Sequence, residues 1–295
     1  MTSPRLLLAS IKKDAKKRMG QNFLAGSNIG DMIVSKAKIN PHDTVLEIGA
    51  GLGALTIPLA AAGEKIFAVE KDKNLIPVLV HELKICNIDN VVLLNENIFD
   101  IDLAGIAEKE GKKIIVAGNL PYNISSKILF KLINSRQAVS RAVLMFQKEL
   151  AMRITAGPCC KDYGRITVML KYCAEIKTLA TVNRNSFFPK PKVDSQVLEI
   201  QFGQENSCKA KNEDILYKII KAAFGKRRKT LKNALSSSEL KITGETAVQI
   251  LEKAGISPVR RAETLTVLEF VKLSDSFAEI GGCPKMPFSP NSALF

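Results

Sequence analysis

Thr44-Val45-Leu46-Glu47-Ile48-Gly49-Ala50-Gly51-Leu52-Gly53 is the stretch whose reading decides the fold. Its first five residues read as a buried strand that runs straight into three closely spaced glycines. A glycine loop between a first strand and its helix marks a nucleotide cofactor, because the backbone must pass close to the ligand. The dinucleotide fingerprint spaces its glycines G-x-G-x-x-G. Here they fall at 49, 51 and 53, giving E-x-G-x-G-x-G from Glu47. The shorter spacing, with an acid just before it, favours S-adenosylmethionine (SAM) over NAD. On the motif grammar alone a dinucleotide site stays open.

Working outward, the pattern alternates. A helix from Asn28 to about Ala37 precedes the strand, and Leu55, Ile57, Leu59 and Ala60 continue beyond it as a helix ending near Gly63. Ile66–Val69 is the next strand and terminates in Glu70, an acid placed for two ribose hydroxyls. A helix over 74–86 leads to a strand at Val91–Leu94 that closes on Asn95-Glu96-Asn97. The run Ile114–Ala117 is a fourth strand, Ala142–Phe146 a fifth, and a helical run then ends near Gly157-Pro158. Thr178–Val182 and Ser195–Phe202 read as two late strands joined by a loop. Alternating βα units with a late hairpin describe a doubly wound, mostly parallel α/β sheet with an antiparallel edge. Ligands bind at the carboxyl ends of such strands, so the glycine loop, Glu70, Asn97 and Asn119 converge on one crevice.

The chain then changes character. Gly203–Asn212 reads as a linker, and only helical patterns follow, over 213–224, 226–235, 245–254 and 264–273. The expected organisation is a basic N-terminal arm at 1–20, a catalytic α/β domain at 21–203, a small all-α domain at 204–280 and a mobile tail at 281–295.

Composition narrows the partner. There are 43 basic and 29 acidic residues, a net charge of +14. Residues 1–20 carry Arg5, Lys12, Lys13, Lys16, Lys17 and Arg18 against Asp14. Residues 218–232 carry seven cations and no acid. Either run can be a solvated helix face, but two clusters on a chain this basic favour a polyanion, nucleic acid above all. No run approaches the roughly 18 apolar residues of a membrane span. Leu6-Leu7-Leu8-Ala9 is too short for a signal-peptide core. Six cysteines (Cys86, Cys159, Cys160, Cys173, Cys208 and Cys283) without CxxC spacing, beside only His42 and His81, argue against a disulfide scaffold or a metal site. A cytoplasmic monomer with reduced thiols is the expectation.

The fourth strand runs into Gly118-Asn119-Leu120-Pro121-Tyr122. An Asn oxygen and a neighbouring backbone carbonyl can accept both hydrogens of a planar amine, while a Tyr ring offers a stacking face. By itself the stretch is compatible with an ordinary Pro-Tyr turn. Beside a SAM loop it becomes an amine-methylating site. Pro158-Cys159 is a pattern of cytosine C5 methylation, but it follows a different helix, off this crevice, and is read as incidental.

From Arg18 to about Asp275 the chain resembles the KsgA/Dim-type ribosomal RNA adenine N6-dimethyltransferases, closest to the bacterial small-subunit branch. The resemblance rests on Gly20-Gln21-Asn22-Phe23-Leu24, on Leu46 through Gly53, and on Gly118-Asn119-Leu120-Pro121-Tyr122-Asn123-Ile124-Ser125. Met145-Phe146-Gln147-Lys148-Glu149, Tyr163-Gly164-Arg165 and Phe188-Pro189-Lys190-Pro191-Lys192-Val193-Asp194-Ser195 extend it. It implies the class I SAM-dependent methyltransferase fold, Rossmann-like, plus a helical C-terminal domain that helps read RNA. Gln21, Asn22, Leu24, Gly49, Gly51, Glu70, Lys71, Asn97 and Asn119 would serve the cofactor. Asn22 and Leu24 would close over it, Gly49 would lie beside its methionine part and Glu70 on its ribose. The family usually has Asp where this chain has Asn97, contacting the adenine amine; Asn keeps an acceptor but loses the charge.

Asn119, Leu120, Pro121, Tyr122 and Phe187 form the implied catalytic set, with Tyr122 and Phe187 sandwiching the target base. Arg153, Lys221, Lys226, Arg227, Arg228, Lys229 and Lys232 are the candidate RNA contacts. The implied partner is small-subunit rRNA or the immature small subunit, and the implied reaction dimethylates two adjacent adenosines near its 3′ end. A large-subunit methyltransferase of the antibiotic-resistance type and a mainly non-catalytic ribosome-assembly factor are the competing readings.

Overall fold

The computed structural model of the protein describes residues 2–11, 21–203, 209–226 and 228–280, without the Ser27 side chain. Expectations for residues 12–20, 204–208, Arg227 and the 281–295 tail, with Cys208 and Cys283 among them, lie outside the described residues. Two compact units emerge: Met1–Ala151 with Glu175–Gly203, and Met152–Ala174 with Gln204–Phe295.

The first unit is built on a seven-stranded sheet. Its strands are β2 (Thr44–Ile48), β3 (Lys65–Val69), β4 (Val91–Leu94), β5 (Ile114–Asn119), β6 (Val139–Gln147), β7 (Ala174–Val182) and β9 (Ser195–Phe202). They lie in the order β4-β3-β2-β5-β6-β9-β7. The β4-β3, β3-β2, β2-β5 and β5-β6 pairs are parallel, whereas β6 and β9 pair antiparallel. All five residues of β2 are buried, as a central strand covered on both faces requires. The chain leaves β2 towards β3 and β4, then returns to place β5 on its other side. That reversal is the topological switch point at which open α/β sheets bind ligands. A separate antiparallel ladder joins β1 (Phe23–Leu24) to β8 (Phe187–Phe188), setting Leu24 opposite Phe187.

Helices α2 (Ser27–Ala37), α3 (Thr56–Ala62), α4 (Ile76–Ile85), α5 (Leu103–Lys109) and α6 (Ser125–Asn134) follow their strands and loops in turn. α6 shows why: Ile128, Leu129, Leu132 and Ile133 repeat at helical spacing and are buried. One helix stands where the sequence reading has only a basic arm. α1 (Pro4–Ser10) begins with a proline in its first turn and buries Leu7 and Leu8, the centre of the short apolar run.

In the second unit, α8 (Arg165–Cys173) is accompanied by α9 (Glu213–Phe224), α10 (Leu231–Ser236), α11 (Gly244–Lys253) and α12 (Val267–Ile280); α7 (Lys148–Thr155) precedes α8 in the chain and ends in this unit. Residues 152–174 therefore group with the C-terminal helices rather than staying inside a continuous 21–203 domain. Side chains explain the grouping. The Tyr172 hydroxyl lies 3.1 Å from the Glu213 carboxylate, and the Tyr163 ring meets Phe224 edge-on at 6.1 Å. Asn212 starts α9 by accepting from the Asp214 and Ile215 amides. The helix expected over 226–235 starts only at Leu231: α9 ends at Phe224 with Gly225 as its cap, and the Lys229 amide donates to the Lys226 carbonyl at 2.9 Å. Among the described residues no helix is long and apolar enough to cross a membrane.

Candidate active site

A cavity of about 280 Å³ is lined by the carboxyl ends of β2, β3 and β5. That is near the lower edge of the range for small-molecule sites, about 300–1,000 Å³. Leu52, Leu55, Leu75 and Ile98 supply apolar wall, and a few polar groups supply direction.

The glycine loop makes one side. Gly49 and Ala50 donate to the Val69 carbonyl at 2.8 and 3.1 Å, tying the loop to the end of β3. Gly51 has φ +56°, and a Cβ there would lie 3.2 Å from the Phe23 ring. A side chain at 51 would therefore be strained by its backbone and crowded by the aromatic that covers it. The Gly51 amide donates to Glu70 Oε2 at 2.9 Å, and the Asp72 amide donates to Glu70 Oε1 at 2.7 Å. One donor on each oxygen fixes the plane of the carboxylate and leaves lone pairs on both atoms. Burial pushes the Glu70 carboxyl above its ordinary range.

Two acids of this site were missed by sequence reasoning. Asp72 is buried and accepts from the Gln21 side chain at 3.2 Å, so the polar stretch before β1 is anchored to the β3 end. The pattern carried no signal for that contact, which joins positions 51 residues apart. Glu47, read only as the acid that opens the glycine motif, is 1% exposed and lines the cavity. Burial pushes its carboxyl up to about 7, and the nearby Glu70 carboxylate adds to the effect. Its Oε2 is buried without a hydrogen-bond partner. An orphaned acceptor in a cavity wall is what a ligand ammonium would satisfy. Together with the ribose-ready Glu70, this set of acceptors fits SAM, whose amino-acid end carries an ammonium.

The opposite side is the loop after β5. A Cβ at Gly118 would meet the Ile48 carbonyl at 2.7 Å, so β5 can approach the end of β2 only with glycine there. Asn119 Nδ2 donates to the Asn22 carbonyl at 2.9 Å. This bond settles which way the amide points: the nitrogen is taken by the β1 segment, and Oδ1 is the acceptor turned the other way. Leu120 is 1% exposed and its amide donates to the Met145 carbonyl at 3.3 Å. The Pro121 carbonyl accepts from Ser125 Oγ at 3.0 Å, which ties the turn to the start of α6. Tyr122 is half-buried at the cavity, and burial pushes its hydroxyl above the ordinary range.

Of the residues expected at the site, Gln21, Asn22, Leu24, Gly49, Gly51, Glu70, Lys71, Asn97, Asn119, Leu120, Pro121 and Tyr122 line this one cavity. Asn97 is half-buried there, with Oδ1 accepting from the Phe99 amide at 3.4 Å. Phe187 does not line it. It is 4% exposed, in the core cluster with Leu24, Val182 and Val197. The ladder that pairs Phe187 with Leu24 explains the burial.

The candidate RNA residues belong to the second unit. Lys226, Arg228, Lys229 and Lys232 are exposed on or beside the turn before α10, and Arg153 is exposed on α7. Lys221 differs: the fold brings Glu239 to 3.2 Å from its ammonium, although the local sequence is free of acids.

A family model described as ribosomal RNA adenine dimethylase matches residues 12–279. A ribosomal RNA small subunit methyltransferase A from Desulforapulum autotrophicum is 50% identical over 282 residues, covering 96% of this chain and 99% of that protein. One from Alkaliphilus metalliredigens is 42% identical over 264 residues, covering 89% and 91%. The crystal structure of a dimethyladenosine transferase from Plasmodium falciparum matches with a TM-score of 0.75 at 27% identity, covering 88% of this chain and 98% of that one.

Proposed function

Because the chain belongs to the ribosomal RNA adenine dimethylase family, whose methyl donor is SAM, we propose that it dimethylates N6 of two adjacent adenosines near the 3′ end of small-subunit rRNA during assembly of that subunit. The observation that carries this reading is the orientation of Asn119, whose nitrogen is held by the Asn22 carbonyl so that its oxygen can accept.

When bound, SAM supplies an electrophilic methyl on a sulfonium. The chain's contribution is placement. Glu70 would take the ribose hydroxyls on the lone pairs left by Gly51 and Asp72, and the orphaned Glu47 oxygen would take the ammonium. Asn97 would accept from the adenine amine of the donor. On the substrate side, an exocyclic adenine amine is a poor nucleophile because its lone pair is delocalised into the ring. Asn119 Oδ1 and the Leu120 carbonyl would accept its two hydrogens and favour a pyramidal nitrogen whose lone pair faces the methyl. Positioning and preorganised dipoles then lower the barrier without a strong base. The target base must leave its stack, a cost of a few kcal/mol that stacking on Tyr122 offsets by about 1–3 kcal/mol.

The test is transfer from labelled SAM into isolated small and large subunits, followed by site mapping. Label at N6 of paired adenosines near the 3′ end of small-subunit rRNA is expected. Label confined to the large subunit, or none, would overturn the reading. An Asn119→Ala variant that still supported full subunit maturation would favour the assembly-factor alternative.

A further inference from the structure

The N-terminal helix is not used by any step above, yet it is packed against the cofactor side of the cavity. Leu7 and Leu8 of α1 are 6% and 3% exposed and share one apolar cluster with Phe23, Leu52, Leu75 and Val78. Three of those partners, Phe23, Leu52 and Leu75, also line the cavity. The Phe23 ring lies against Gly51, where an added Cβ would sit 3.2 Å from it, and the residue belongs to the cluster that α1 completes. The helix is pinned at its start as well. The Thr2 amide and hydroxyl donate to the two oxygens of Glu82 on α4, at 2.9 and 3.0 Å.

We propose that α1 is a clasp for the cofactor loop, in which Leu7 and Leu8 are positioning residues that hold Phe23 over Gly51 and thereby hold the loop in its SAM-binding shape. The physical argument is short. Gly49, Gly51 and Gly53 all sit at positive φ and carry no side chain that could pack the loop in place, leaving that to Ala50, Leu52 and whatever covers them. Hydrogen bonds to Val69 and Glu70 tie the loop's main chain, and what packs on it completes its shape. Phe23 is that cover, and a two-residue strand cannot hold an aromatic ring in place unaided. The seven-residue α1 is too short to be stable alone, so it persists through this packing and the Thr2–Glu82 bonds. Each element orders the other. This inference rests on reading the cavity as a SAM site.

The test measures SAM binding by equilibrium dialysis, together with kcat and KM for SAM, in the full chain. Leu7→Ala and Leu8→Ala should each raise the SAM Kd and KM about tenfold, within the range of coupling between contacting side chains. Turnover at saturating SAM should stay within about twofold, because the groups that hold the amine are untouched, and Leu8→Met should restore binding. In a Phe23→Ala background, Leu7→Ala should add little further loss, since the ring it supports is gone. Lower melting temperature with unchanged SAM affinity, or full additivity of the two losses, would overturn the proposal. If Leu8→Ala does not fold, Thr2→Val, which removes only the hydroxyl bond to Glu82, reads the same property with a rise of about twofold, and no rise in that variant counts against the clasp. Wild-type protein that binds no SAM would instead sink the reading of the cavity and leave the packing of α1 unexplained.

Discussion

The cavity at the ends of β2, β3 and β5 and the basic turn before α10 represent two ways of handling polar groups. In the cavity, three polar side chains are buried or half-buried and fixed by a named partner: Glu70 by two backbone amides, Gln21 by Asp72, Asn119 by the Asn22 carbonyl. On or beside the turn, Lys226, Arg228, Lys229 and Lys232 stand exposed on long side chains. The first arrangement controls direction at single-bond resolution. The second supplies a field that many phosphate positions satisfy equally well. Substitution should therefore be costly and specific in one region, mild and cumulative in the other.

The sharpest way to break that contrast is Asn119→Ala. It should lower kcat by about 10²–10³-fold, the size seen when one preorganised polar group is lost from a reaction centre, while RNA affinity holds. Single-turnover methylation of purified subunits measures it, and a loss under tenfold would mean that Asn119 does not hold the amine. Next comes Glu70→Gln, which sets an amide nitrogen against one of the two backbone donors. SAM affinity by calorimetry should fall about 10–100-fold, the range for a hydrogen bond to a charged group.

Glu47 adds a pH signature. Its carboxyl is held near 7 against an ordinary 4.5. A raised pKa means that its contribution to folding is fully present below about pH 4.5 and is lost as pH rises through 7. The cavity-bound ammonium wants the opposite, ionised form. SAM affinity should thus rise about fivefold between pH 6 and 7 as the carboxyl ionises, and Glu47→Gln should flatten both the affinity and the stability profiles. A pH-independent wild-type affinity would remove Glu47 from the ligand's ammonium. The mildest effect belongs to the turn. Arg228→Ala with Lys229→Ala should weaken RNA binding about equally across sequences and make the log–log salt slope shallower by about 2. An unchanged slope would leave these cations as a solvated face.

What was legible beforehand follows the same division. The βα alternation, the three glycines, Glu70 and the Asn119 loop are local patterns, and they converge because strand ends in a parallel sheet do so by construction. Long-range contacts were not legible. Nothing in Leu6-Leu7-Leu8 announces that Phe23 and Val78 will cover two of the three, and the helix they form is shorter than periodicity can resolve. Residues 152–174 continue the βα rhythm in sequence but are claimed by the C-terminal helices through Tyr163 and Tyr172. The resemblance put Phe187 at the target base; its pairing with Leu24 in the β1–β8 ladder, invisible in two-residue strands, is what the structure adds. Glu239 reaches Lys221 from 18 positions away, a pairing that no local charge count reveals.

The absent side chain at Gly118 has one more consequence. With the Ile48 carbonyl only 2.7 Å from where a Cβ would stand, the floor under the amine loop and the floor under the glycine loop are two main chains in contact. The gap between donor and acceptor is then a property of peptide geometry, as in a jig whose jaws are cast in one piece. The same span would serve the first methyl and the second. The bulkier monomethylated amine would then be accommodated by the base shifting between the two loops.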